Sequence, residues 1–272
     1  MKKNALFALV LPALAGMIFA GQNDPNILAQ KEKAEGWKLL FNGTSFDGWR
    51  GFRQTGIPAA GWKVENGLLK TIAGVKGADL ITVEKFNDFE LSWEWNISAA
   101  GNNGIKYFVT EERPGAPGHE YQMIDDAANE EGKNGPKRAT AAFYDVLGPA
   151  DDRPLKPSGE WNRSRVQVQG NHVEHWLNAK KVLEYELGSD RVRAGLAESK
   201  FKKYPDFGAK IQGHIMLTYH NDECWFRNIK IRELPPGRSP ISANLRVAAW
   251  KIVGSDAGGI GLIVWRCIRP GM

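Results

Sequence analysis

The stretch FELSWEWNI, residues 89–97, limits the choice of fold more than any other part of the chain. Phe89, Leu91, Trp93, Trp95 and Ile97 alternate with Glu90, Ser92, Glu94 and Asn96. A period of two puts every bulky side chain on one face of a strand, where a helix would scatter them around its circumference. IKYFV (105–109) repeats the pattern, with Ile105, Tyr107 and Val109 on one face and Lys106 and Phe108 on the other. RSRVQVQ (163–169) does so again and runs through Gly170-Asn171 into HVEHWL (172–177). Both turn residues tolerate positive φ, which is a hairpin signal. Asn178-Ala179-Lys180 then leads into KVLEYEL (181–187), and GHIMLTYH (213–220) and CWFRNIKIREL (224–234) are joined through Asn221-Asp222. No amphipathic helix longer than the short segment 27–35 is expected, and there is no βαβ rhythm. The chain therefore reads as all-β, a sandwich or barrel in a single domain. The connection 126–160 is long for a compact domain, and loops of that length are often functional.

Both ends read as lying outside that domain. Residues 1–20, MKKNALFALVLPALAGMIFA, place two lysines before an apolar run and small residues, as a secretory signal peptide does. Residues 21–35 read as an N-terminal linker, 36–234 as the β-sandwich domain, and 235–272 as a C-terminal extension that opens on Pro235-Pro236. Its apolar run, Ile260 to Trp265, is too short to span a bilayer. An exported bacterial protein, periplasmic or extracellular, without a membrane span is the expectation. Without the two ends the body holds 29 Lys and Arg against 30 Asp and Glu, so the basic balance belongs to the ends. A nucleic-acid binder would carry a basic body, and no nucleic-acid partner is expected. The two cysteines, Cys224 and Cys267, make no disulfide framework, and no thiolate cluster suggests structural zinc.

Strand parity points to a candidate site in GHEYQMIDD (118–126). Tyr121 and Met123 share the core face, which leaves Glu120 and Gln122 pointing away from it. If the strand at 105–109 is a neighbour, Lys106, Phe108, Glu120 and Gln122 form one patch. A cation, a carboxylate, an amide and a ring suit a sugar; the same parity also describes a solvated face with one cross-strand ion pair. Ten tryptophans are many for this length, and Trp161 in GEWN follows the long loop, where function tends to sit. Of the histidines, His175 falls on an apolar parity and suits a core or rim position. His220 ends a strand at an edge from which it can reach a cleft. No HxH or HExxH spacing calls for zinc.

Seven motifs in order resemble one family over about residues 36–234: GWKLLFNGTSFDGW, GNNGIKYF, GHEYQMIDD, TAAFYDV, KPSGEWN, HVEHWLN and WFRNIKIREL. They are similar to the "LFNG…GW", "GNSGI", "G-E-Q-D" and "TGALYD" stretches, and their successors, in the 3-keto-disaccharide hydrolase domain family, long grouped as a domain of unknown function. The departures are Asn103 for a serine, Ala179 in the "LNG" turn, and Leu217-Thr218-Tyr219-His220-Asn221 for "LQDHG". The resemblance implies a concanavalin A-like jelly-roll sandwich of two antiparallel sheets and sugars oxidised at C3 as substrates. A ketone at C3 acidifies the C2 proton, so a base, an enolate stabiliser and an acid for the leaving oxygen are needed. On this reading Glu120 is the base, and His220 or Asp125 protonates the leaving group. Lys106 and Arg227 face the enolate, and Phe108, Gln122, Tyr144, Trp161, Asn162 and His175 contact the sugar. No cofactor is required, although Asp125 and neighbouring oxygens would suit a divalent cation. Two other readings stay open: a retaining β-glycanase, for which Glu120-x-Gln122-x-x-Asp125 lacks the usual carboxylates, and a non-catalytic lectin-like module.

Overall fold

The computed structural model describes residues 24–113, 115 and 117–237. The expected leader at 1–20 and residues 238–272 of the expected extension lie outside them. Among the described residues, no helix is long and apolar enough to cross a membrane.

Among the described residues there are thirteen strands. They are β1 (Lys38–Leu39), β2 (Trp49–Gly51), β3 (Trp62–Glu65), β4 (Leu68–Thr71), β5 (Leu80–Thr82), β6 (Phe89–Ile97) and β7 (Asn102–Val109). After them come β8 (His119–Ile124), β9 (Asn162–Gln169), β10 (His172–Leu177), β11 (Lys180–Glu186), β12 (His214–Leu217) and β13 (Cys224–Glu233). Eight form the larger sheet, in the order β11-β10-β9-β6-β13-β4-β3 with β1 also on β13, and five form the smaller, β2-β5-β12-β7-β8. Every pairing is antiparallel. The alternation allows a sandwich or a barrel, and the jelly-roll sandwich of two antiparallel sheets that the resemblance implies is what forms. Its tight turns are the ones the residues favour: Asn178 and Ala179 take φ of 45° and 69° between β10 and β11, the geometry of a two-residue hairpin.

The core lies between the sheets. Phe89, Trp93 and Trp95 from β6 meet Tyr107 and Tyr121 from the smaller sheet, all essentially without exposure. Each large side chain so buried stabilises the fold by roughly 1.5–3 kcal/mol. Their polar atoms are paired inside: Trp95 Nε1 donates to Ser164 Oγ at 2.8 Å, and Trp93 Nε1 to Met123 Sδ at 3.2 Å.

Three expectations are corrected here. Phe108 does not face outward with Lys106. It adopts φ of 53°, and the β7–β12 register slips there, with three steps on β7 against two on β12. This bulge reverses the parity, so Phe108 turns into the core against Phe89 and His119, while Val109 turns out to join Ile81 and Met216. His175 also lies in the core. Its Nδ1 donates to the Ala141 carbonyl at 2.9 Å, which fixes the tautomer, and its Nε2 accepts from Tyr107 at 2.9 Å. Burial pushes its pKa down to about 4, so the ring is neutral. Finally, residues 26–35 are no free linker. Asn26 donates to the Gly67 carbonyl at 2.9 Å and accepts from the Asn228 amide at 3.0 Å, so the segment is stitched to β13.

A second helix was not expected. Beyond the short α1 (Gln30–Ala34), α2 spans Asp190–Glu198, and Ser189 caps it by accepting from the Val192 amide. Only Val192 and Gly195 are buried, too thin a stripe to be read from periodicity. A 3₁₀ turn at Lys200–Lys203 follows it.

Candidate active site

Lys106 on β7 stands directly opposite Glu120 on β8. Both side chains leave the smaller sheet on its outer face, Nζ 3.4 Å from Oε2, with the Glu120 side chain only 7% exposed. A carboxylate this deep needs a local reason for its position, and Gly104 supplies it: a Cβ there would run into Glu120 Oε1. The absent side chain is the space the carboxylate occupies.

The segment after β8 folds back along it and closes the site. The Ala141 amide donates to the Gln122 carbonyl at 2.9 Å, and the Tyr144 amide to the Glu120 carbonyl at 3.0 Å. This extra pairing covers the edge of β8 and sets Tyr144 beside Glu120. The Tyr144 hydroxyl donates to Glu131 at 2.5 Å and accepts from Arg138 at 3.0 Å and from Lys200 Nζ at 3.1 Å. Asp145 ties the pieces together, accepting from Arg138 Nε at 2.9 Å and from the Lys200 amide at 2.7 Å. Three cations and three carboxylates, counting Lys106 and Glu120, thus surround one tyrosine.

Electrostatics separates their roles. Burial lowers the Lys200 pKa below the usual lysine range, and Arg138 adds to that, while Glu120, Asp145 and Glu131 oppose it. Burial, then the bond to Glu131, raises Tyr144. For Glu131 burial acts upward, but the bonds from Tyr144 and Arg138 outweigh it and keep the carboxyl low. Tyr144 therefore keeps its proton, and Lys200 gives one up more readily than an ordinary lysine.

The structure brings Lys106, Glu120, Gln122 and Tyr144 together. Gln122 is 1% exposed, and its amide points to the Arg138 carbonyl at 3.5 Å, so it steadies the covering loop instead of clamping a sugar. His220 is exposed and comes just after β12; two residues before it, the Thr218 amide donates to the carbonyl of Gly104. That places His220 on the flank beside the residue over which Glu120 lies.

Asp125 is a turn residue, contrary to the acid or metal-ligand role expected of it. Its oxygens accept from the amides of Ala100 at 3.0 Å and of Ala127 and Ala128 at 3.2 Å. Burial alone would raise its pKa, but these bonds outweigh it and hold the group ionised. Phe108 and His175 are core residues, as described above. Trp161 and Arg227 belong to the outer face of the larger sheet, on the other side of the sandwich, where Arg227 stacks on Trp161 at 4.0 Å and binds Glu94 at 2.8 Å; Asn162, paired with Trp95, takes the inward parity of β9 and bonds Lys156 and Asn178 at the start of the strand.

Glu131, Arg138, Asp145 and Lys200 were not foreseen. The length of the 126–160 connection was a signal for the first three, and Lys200 gave none. Asn103, where the family pattern has serine, accepts from the Gly104 amide and from Thr218, work a hydroxyl can also do.

The family model described as "3-keto-alpha-glucoside-1,2-lyase-like domain" matches residues 36–232. A 3-keto-disaccharide hydrolase of Bacteroides thetaiotaomicron is 34% identical over 234 residues, 74% of this chain and 79% of its own length. A candidate glycosyl hydrolase of Parabacteroides distasonis, known as a crystal structure, is 36% identical with a TM-score of 0.69, covering 77% of this chain and 99% of its own. A second from the same organism is 28% identical with a TM-score of 0.59, covering 73% and 99%.

Proposed function

The chain belongs to the 3-keto-alpha-glucoside-1,2-lyase-like domain family, and from that premise we propose that it cleaves glycosides already oxidised at C3, with Glu120 as the base. It is an enzyme of the glycoside hydrolase type; the substrate and the order of steps are the proposal. The observation that carries it is the deep Glu120 carboxylate held 3.4 Å from a lysine.

The steps follow from the ketone. Glu120 takes the C2 proton, and the electron pair moves onto the C3 oxygen as an enolate. Lys106, and Lys200 behind it, supply positive charge where that oxygen becomes negative, the kind of stabilisation that contributes most in a water-poor site. The enolate then expels the C1 oxygen, leaving a C1=C2 double bond conjugated to the ketone. His220 on the exposed flank gives the leaving oxygen its proton. Water then adds to C1 and gives up a proton to His220, Glu120 returns its proton to C2, and net hydrolysis is complete with both side chains restored; release before that addition is elimination. Every step uses the chain's own side chains, and none calls for a bound cofactor.

A retaining glycanase needs two carboxylates about 5–5.5 Å apart across the scissile bond. Here Glu120 faces Lys106, and Asp125 is spent on backbone amides. The leader-like residues 1–20 support an exported enzyme.

Glu120→Gln should lower release of aglycone from a 3-keto-glucoside by at least about a thousandfold, while an unoxidised glucoside stays inert to the native protein. Native-like turnover by the variant, or cleavage of the unoxidised glucoside, would overturn the reading. His220→Gln should slow alkyl glycosides but spare a 4-nitrophenyl glycoside, whose leaving group needs no proton. Equal slowing of both would remove His220 from the acid role.

A further inference from the structure

The outer face of the larger sheet, on the far side of the sandwich from Glu120, carries an arrangement that the keto-sugar chemistry does not use. Four half-buried indoles stand on it, each with a cation against its ring: Trp176 under Arg165 at 3.9 Å, Trp161 under Arg227 at 4.0 Å, Trp37 under Arg232 at 5.0 Å and Trp225 under Lys70 at 5.6 Å. Outward positions on a sheet are ordinarily polar, yet Trp176 in β10 and Trp225 in β13 hold two of them, and Trp37 and Trp161, just before β1 and β9, line the same face, so four indoles there need a reason. Between them lie Glu90 and Glu94, each held by two guanidinium groups: Arg165 and Arg232 on Glu90, Arg163 and Arg227 on Glu94.

The surface between the indoles is a groove along β6. A cleft of about 360 Å³ surrounds Glu90 and Ser92, a second of about 370 Å³ surrounds Glu94, and a third of about 480 Å³ surrounds Asn96 and Ile97. The first and second share Arg163 and Ala179, and the second and third share Trp161. At about 3.3 Å per residue, the strand from Glu90 to Ile97 runs roughly 23 Å. Five cations line the clefts (Lys156, Arg163, Arg165, Arg227, Lys230) against the carboxylates Glu90 and Glu94 and against Glu32, which is paired with Lys230.

We propose that this groove binds a linear anionic polysaccharide, with sugar rings on the indoles and carboxylate or sulfate groups on the arginines. Indoles offer flat apolar surface to sugar C–H faces, and guanidinium groups match planar anions in two-point contacts. A protein partner would want the centre of its interface depleted of charge, whereas the middle cleft of this one is lined by Glu94, Lys156, Arg163 and Arg227. Single-stranded nucleic acid also stacks on indoles and follows cations; a glycan is the polymer that an enzyme of the glycoside hydrolase type meets, and an oligonucleotide in the test separates the two. The proposal does not rest on the keto-sugar reading.

The test uses the whole protein with polygalacturonate and dextran sulfate as carboxylate and sulfate probes, and neutral dextran and a single-stranded oligonucleotide for comparison. Arg163 is the variant of choice because its side chain is 62% exposed and Arg227 remains on Glu94 when it is changed, so Arg163→Glu should keep the fold, which its urea midpoint checks. Binding of one or both acidic glycans should weaken about tenfold or more in Arg163→Glu and in Trp176→Ala, and should fall with added salt. Turnover of a small 3-keto-glucoside should be unchanged in both variants. Whichever acidic probe binds identifies the anion. The proposal is overturned if neither binds, if both substitutions leave binding intact, if dextran binds equally, or if the oligonucleotide binds more tightly.

Discussion

Glu120 has its place because residue 104 has no side chain. The geometry makes a sharp expectation for Gly104→Ala. The atom a new Cβ would meet is the far end of a flexible side chain, so the carboxylate moves and the strand does not. Turnover of a 3-keto-glucoside should drop about a hundredfold, as misplacing a reacting group by an ångström does, while the urea midpoint shifts little. Native-like turnover would show that the carboxylate has no need of that position. At this scale the sequence is partly legible. Parity puts Lys106 and Glu120 on outward faces, because both strands keep a period of two up to that point, and the pairing of the two strands then sets them opposite each other. It fails two residues later, where the bulge at Phe108 inverts the face; positive φ at a phenylalanine is a tertiary outcome with no local signal. Glu131, Arg138 and Lys200 escape for another reason: they meet Tyr144 from separate segments, and a sequence pattern cannot report a meeting.

At the scale of elements, the fold-back segment between β8 and β9 decides whether the site exists, and a core histidine holds it. The relay runs from Tyr185 to Tyr107, from Tyr107 to His175, and from His175 Nδ1 to the Ala141 carbonyl. Ala141 sits at φ of 71°, an unfavoured conformation for a residue with a Cβ, and its amide bonds β8 at the Gln122 carbonyl. His175→Phe keeps the ring but strands that carbonyl and the Tyr107 hydroxyl, at about 1–3 kcal/mol for each buried group. Both the urea midpoint and the turnover per folded molecule should therefore fall. His175→Asn, which can still donate from about the Nδ1 position, should recover part of the turnover. If His175→Phe is less stable but turns over normally, the relay supports the core and not the site. The length of this connection is readable from the sequence, and so is the apolar parity of His175; the bond that joins them is not. Helix α2 was invisible for want of apolar positions, although its cap, Ser189, is an ordinary one.

For the whole molecule, the same buried imidazoles set the response to acid. Burial is the first cause of both shifts, taking His175 down to about 4 and, with the charges of Arg113 and His175 adding to it, His119 to about 3. In the unfolded chain both would titrate near 6.5. Below that pH the unfolded state binds protons that the folded state refuses, so stability is complete above pH 6.5 and is lost as pH falls toward 4 for His175 and toward 3 for His119. Between pH 7 and pH 5 the loss is about 2 kcal/mol for each ring, or about 4 kcal/mol together. Carboxylates act later: Glu111, whose pKa is brought to about 2 chiefly by its bond to Arg50, loses its contribution only as pH falls below about 4.5. Urea denaturation at pH 7 and pH 5 should thus show a fall in stability well before the carboxylates titrate. His175→Phe should be less stable at pH 7 yet lose about 2 kcal/mol less on going to pH 5, since its ring is gone while His119 and His214, also lowered by burial, remain. An undiminished pH dependence in that variant would mean that the acid sensitivity resides elsewhere in the molecule.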